Sequence, residues 1–160
     1  MKLSTIVCSV ITMAFLGAFL IAPVYADQKL DDTLNAPEVI LKSPTGESAP
    51  LSAYIGKKPV LLVFWASWCT ICKEEIPLLR KLNSGQFKVI AVNEGESAWK
   101  TKRYVSMNTI DYQVALDPDG SIAKAFQVPG MPSCVILGTS GRIVYRGFGL
   151  PENIETYTHK

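Results

Sequence analysis

Histidine is nearly absent from this chain: His159, close to the end of the 160 residues, is the only one. A structural zinc site takes about four ligands, drawn largely from cysteine and histidine. The cysteines are Cys8, Cys69, Cys72 and Cys134, and Cys8 lies in an apolar N-terminal stretch. Cys134 and His159 would thus be the only such ligands left to join Cys69 and Cys72, which argues against a metal centre. Basic runs and charge blocks are also lacking. With a net charge of +2, nothing recommends a nucleic-acid partner. There is no internal repeat and no low-complexity tract, which removes repeat architectures. Hydrophobic residues at 48% against 19% charged describe a globular chain, of a length for one domain with a proper core rather than two.

What the chain does contain is concentrated in residues 60–77, VLLVFWASWCTICKEEIP. The run Val60–Trp65 is too short for a buried helix and reads as a buried strand. A C-x-x-C pair, Cys69 and Cys72, follows at once and opens a charged, helix-favouring segment. The unpaired N–H groups and positive dipole end of a helix N-terminus stabilise an anion. A thiolate at Cys69 is favoured there, and the thiolate is the nucleophile in disulfide exchange. Cys72 lies one turn on, within reach of a mixed disulfide formed by Cys69. A bare C-x-x-C is ambiguous between zinc and redox work, and the ligand shortage favours redox. A purely structural disulfide gains little loop-closure entropy from two intervening residues.

Residues 1–26 read as an export segment. Lys2 gives a positive start, residues 6–21 are almost wholly apolar, and Val24-Tyr25-Ala26 precede Asp27 as a cleavage site. The apolar stretch is long for a signal core, so an uncleaved single-span anchor stays open. Cys8 reads as an apolar filler lost with the signal. In an oxidising compartment the C-x-x-C pair becomes a disulfide unless something reduces it. Residues 27–36 read as a flexible lead-in and 37–160 as the folded domain.

In that domain the pattern predicts a hairpin over residues 37–51, turning at Pro44-Thr45-Gly46, and a helical turn over 51–55. A helix runs from the cysteines to Asn83-Ser84-Gly85, kinked at Pro77. Strands at 87–92 and 112–116 flank a weaker helix over 96–108. Ser121 caps a short helix through Phe126, and a two-proline loop over 128–133 follows. Strands at Ser133–Leu137 and 142–145 join through Gly138-Thr139-Ser140-Gly141, and residues 150–160 leave room for a short final helix. The expected class is α/β, a central mixed sheet flanked by helices on both faces, with an N-terminal β-hairpin extension.

Phe64-Trp65-Ala66-Ser67-Trp68-Cys69-x-x-Cys72, Ala91-Val92-Asn93 and Val128-x-Gly130-x-Pro132-Ser133 together resemble the thioredoxin fold. More narrowly, they resemble the exported thiol–disulfide oxidoreductases of the TlpA/ResA/CcmG (DsbE) type. The resemblance spans residues 37–149. It implies that Pro132 follows a cis peptide bond and packs against the cysteine pair, with the Met131 backbone offered to an incoming peptide. It also implies an acid/base role for Glu75, three residues past Cys72, as a partly buried carboxylate that raises the thiol pKa values. The plainer reading of Glu75 is a solvated residue favoured by the helix dipole. Glu96 matches a second acidic position near the site. Trp68 and Trp65 shape the surface around Cys69, unless Trp65 is core. Ser133 stands where threonine is usual, and Thr70-Ile71 lacks the proline often found between the cysteines. Cys134 departs from the pattern and reads as a small buried hydrophobe or as a third redox thiol.

The expected activity is reduction of disulfides in other proteins, apocytochrome c among them, with no cofactor. The implied setting is periplasmic or on the outer face of a bacterial membrane, as a monomer served by a membrane thiol donor. Rival readings are a disulfide oxidase or isomerase, a metal-delivery protein holding its cargo on Cys69 and Cys72, and a thiol peroxidase.

Overall fold

A computed structural model describes residues 34–159. The export segment with Cys8, the lead-in as far as residue 33, and Lys160 lie outside the described residues. Seven strands form one sheet: β1 (Ile40–Lys42), β2 (Ser48–Pro50), β3 (Val60–Trp65), β4 (Lys88–Glu94), β5 (Gln113–Asp117), β6 (Ser133–Leu137) and β7 (Ile143–Phe148). Their order across the sheet is β2-β1-β5-β4-β3-β6-β7.

The central strand is β3, paired parallel to β4 and antiparallel to β6. All six of its residues are buried, and alternate side chains enter opposite layers. Leu61, Val63 and Trp65 join one layer; Val60, Leu62 and Phe64 join the other. This two-sided burial explains an uninterrupted apolar run where a half-exposed strand would alternate.

Helix α1 (Thr70–Ser84) carries the chain between the parallel strands β3 and β4. Its Cys72, Leu79 and Leu82 recur at helical spacing in the first layer, against Val63, Val89 and Cys134. Pro77 is exposed within α1, where it withholds one N–H from the helix ladder. Helix α2 (Ala98–Met107) places Tyr104 and Val105 against the same layer. On the opposite face, α3 (Ser121–Ala125) contributes Ile122 and Ala123, and Phe126, just after it, rests 6.2 Å from the ring of Phe64. Helices therefore cover both faces, as expected.

The expected N-terminal hairpin is β1 and β2, and β1 also extends the sheet by pairing with β5 at Lys42 and Leu116. Four details differ from the sequence reading. Ser121 is the first residue of α3 rather than its cap. The capping acceptor is Asp117, 1% exposed, whose carboxylate accepts from the backbone N–H groups of Ile122 and Ala123 at 3.0 and 2.8 Å. Helix α2 starts at Ala98, with Ser97 as its cap. The final helix is a single 3-10 turn, Ile154–Tyr157, seated on the first layer through Ile154 and Tyr157. Residues 34–36, assigned to the lead-in, are tied to the sheet: Ile143 N donates to Leu34 O and Ala36 N to Gly141 O.

Candidate functional site

The site forms where β3 ends and α1 begins. Cys69 occupies the N-cap of α1 and is joined to Cys72 by a disulfide, with a Cα–Cα distance of 5.4 Å. The Cys72 N–H donates to the Cys69 sulfur at 3.2 Å. The sulfur thus occupies the place of the side-chain oxygen in an ordinary helix cap. In the reduced state the same N–H and the helix dipole stabilise negative charge at Cys69. Both cysteines are buried, whereas Trp68, just before Cys69, and Ile71, just before Cys72, are 67% and 55% exposed.

The loop entering the site is held by a polar network. Glu96 is 6% exposed, and its carboxylate accepts from Ser67 N at 2.8 Å, Ser67 Oγ at 2.7 Å and Asn93 Nδ2 at 2.8 Å. Lys100 Nζ lies 2.6 Å from Oε1, the oxygen that also accepts from Ser67 Oγ. Thr101 Oγ1 completes the set by donating to Asn93 Oδ1 at 2.7 Å. Burial opposes ionisation of Glu96. The bonds from Asn93, Lys100 and Ser67 outweigh it and bring the carboxyl down to about 2. At neutral pH Glu96 is therefore a fixed anion that ties β4 and α2 to the residue two places before Cys69.

Glu75 behaves oppositely. It is half-buried, three residues past Cys72 on the same helix. Burial holds its carboxyl above the usual range, offset in part by the backbone N–H of Leu150. This is the partly buried carboxylate that the resemblance implied. Tyr112 and Cys134 both feel its charge, and burial pushes each of these groups far up.

The cis-proline loop closes the other side. The Met131–Pro132 peptide bond is cis, Pro132 is buried, and Met131 touches both core layers, the first of which contains Cys69 and Cys72. The carbonyl of Pro132 accepts from Gly149 N at 2.9 Å, where β7 ends. Ser133 is 1% exposed, next to the loop and opposite Phe148 in the ladder.

Cys69, Cys72, Trp68, Glu75, Met131, Pro132 and Ser133 thus belong to one end of the sheet, and Glu96 reaches it through Ser67. Trp65 takes the core option left open for it: it is 5% exposed, with its ring 5.0 Å from that of Tyr104. Ser67, Lys100 and Thr101 escaped the sequence reading. The Glu96-x-x-x-Lys100 spacing was the available signal: Glu96 stands just ahead of the cap of α2, and Lys100 in the first turn reaches back to it. Among the described residues no group of three or more His, Cys, Asp or Glu is placed to hold a metal ion.

A disulfide at a helix N-cap, at the same end of a mixed sheet as a cis-proline loop, defines a thiol–disulfide oxidoreductase of thioredoxin-like fold. The AhpC/TSA family profile matches residues 33–146, and the chain belongs to that family. It is 28% identical over 121 residues to the thiol-disulfide oxidoreductase ResA of Bacillus subtilis, covering 73% of this chain and 67% of that one. It is 32% identical over 105 residues to the thiol:disulfide interchange protein CycY of Rhizobium leguminosarum, covering 64% of this chain and 56% of the relative. Among solved structures, a Chlorobium tepidum protein assigned as the thiol:disulfide interchange protein DsbE superposes with a TM-score of 0.72 at 28% identity. That alignment covers 80% of this chain and 95% of the other.

Proposed function

We propose that this oxidoreductase works as an exported reductant of protein disulfides. The observation that carries the direction is Glu75. A half-buried carboxylate one turn past Cys72 opposes further negative charge at the cysteine pair, which favours the disulfide over the thiolate and makes the dithiol a stronger reductant. Cys69 thiolate attacks one sulfur of the substrate disulfide, and the other substrate sulfur leaves as a thiolate and takes up a proton. Cys72 then gives its proton to Glu75 and attacks the Cys69 sulfur, releasing the second substrate sulfur. Two electrons pass to the substrate, and the resulting Cys69–Cys72 disulfide is reduced again by a membrane thiol donor.

Trp68, Met131 and Pro132 contact the substrate, with Trp65, Glu96 and Ser133 in support. The substrate class is a polypeptide with a C-x-x-C-H disulfide that must be opened before haem attachment, as in apocytochrome c. The thiol:disulfide interchange names of the relatives agree with this reading, which rests on the resemblance. Residues 1–26 would deliver the monomeric domain to the periplasm or hold it on the extracytoplasmic side of the bacterial membrane. Among the described residues no helix is long and apolar enough to cross a membrane.

The test is a synthetic oxidised C-x-x-C-H peptide offered to reduced variants. Cys72→Ser accumulates a one-to-one disulfide adduct through Cys69, and Cys69→Ser accumulates none. Equal trapping by both variants, or by neither, would refute the assignment of roles.

A further inference from the structure

Cys134 is 1% exposed on β6, and its thiol donates to the carbonyl of Gly149 at 3.0 Å. Gly149 lies just past the end of β7, with φ at +67° and its own N–H on the Pro132 carbonyl. The peptide unit from Gly149 to Leu150 is planar, so fixing its oxygen fixes the direction of the Leu150 N–H. That N–H lies close enough to the Glu75 carboxylate to favour its ionised form. The same carboxylate comes within 3.9 Å of where a side chain on Gly149 would begin. One corner of backbone therefore joins the cis-proline loop, the third cysteine and the acidic residue.

We propose that Cys134 is a positioning residue for Glu75, its S–H holding the Gly149 carbonyl so that Leu150 N–H meets the carboxylate. This rests on the reading of Glu75 as the proton acceptor for Cys72. It assigns the third cysteine a part in the reaction in which its sulfur is never oxidised. Burial, with the Glu75 charge adding to it, keeps the thiol protonated and so always a donor. Tyr112, ahead of β5, also feels the Glu75 charge and stays neutral, because burial first and then Asp111 push its hydroxyl far up. Tyr145 of β7 and Tyr157 of the last turn pack into the same layer, as does the Cys69–Cys72 disulfide at the start of α1.

The test compares wild type with Cys134→Ala, Cys134→Val, Cys134→Ser and Glu75→Gln. Two quantities are followed against pH: the Glu75 carboxyl resonance, and the single-turnover rate of peptide-disulfide reduction. Turning the Leu150 N–H away destabilises the carboxylate, so in Cys134→Ala or Cys134→Val the Glu75 midpoint moves to higher pH and the rate limb follows. Cys134→Ser keeps a donor, and both stay at the wild-type position. An unmoved midpoint in Cys134→Ala or Cys134→Val overturns the positioning role. A rate limb that persists in Glu75→Gln overturns the underlying reading of Glu75 instead. Should the apolar variants fail to fold, wild type alone decides through its Leu150 amide resonance. Titration of that amide with the Glu75 midpoint supports the proposal, and indifference to it refutes the proposal.

Discussion

Replacing Glu96 with glutamine removes one charge and leaves the side-chain shape almost unchanged. Lowering the carboxyl from its ordinary 4.5 to about 2 corresponds, at about 1.4 kcal/mol per pH unit, to about 3 kcal/mol of folding stability. The Lys100 side chain is 51% exposed, so solvent screens its part of this; about 2 kcal/mol is the figure to expect. Glutamine also points an NH2 group at one of the donors that Ser67, Asn93 and Lys100 now direct at the carboxylate. The sign follows from the depressed value. The stabilisation is fully present above the unfolded-state value of about 4.5 and disappears as pH falls through about 2. Urea unfolding of the oxidised protein from pH 7 down to pH 2 measures it. The gap between wild type and Glu96→Gln should be about 2 kcal/mol at neutral pH and close in the acid range. A gap below about 0.5 kcal/mol at pH 7, or one unchanged by acid, would refute the network as an ionic anchor.

Glu75 carries the opposite sign, because its carboxyl is raised. Its burial costs stability once it ionises, so the loss develops as pH rises from the ordinary carboxylate range through the raised folded value. Glu75→Gln should therefore be more stable than wild type at pH 7 and equal to it in acid, as thermal unfolding at the two pH values would reveal. Asp117→Ala leaves the N–H groups of Ile122 and Ala123 without their carboxylate, at a cost of about 2 kcal/mol in denaturant unfolding. An unchanged midpoint would show that α3 is held by its apolar face alone. Glu96→Gln should also alter the reactivity of Cys69, because Ser67 loses its anchor two residues away. Alkylation rates of the reduced protein against pH would detect this.

The helix carrying the cysteines was legible because it is local: the C-x-x-C pair, the buried strand before it and the Asn83-Ser84-Gly85 stop lie within one stretch of chain. The hairpin turns were legible for the same reason. Which layer each residue of β3 enters was not, because a run apolar at every position hides its period of two. The cap of α3 was misplaced to Ser121 because a buried aspartate reaching five and six residues ahead leaves no local signature. Cys134 read as a small buried hydrophobe on a strand or as a third redox thiol. Its bond to Gly149 depends on how far β7 runs, and residues 142–145 gave no sign that the strand continues to Phe148. The partners of Glu96 came together only because β4 and β3 are parallel neighbours, aligning Asn93 with Trp65, two residues before Ser67.

The most direct test of the central claim is the reduction potential of the Cys69–Cys72 couple. It can be followed by tryptophan fluorescence in graded thiol buffers, since Trp68 adjoins Cys69 and Trp65 lies in the same core layer as the pair. A reductant of protein disulfides should give a value near or below the roughly −270 mV of thioredoxin. A value near the roughly −120 mV of a strong disulfide donor would contradict the proposed direction of electron flow and identify an oxidase.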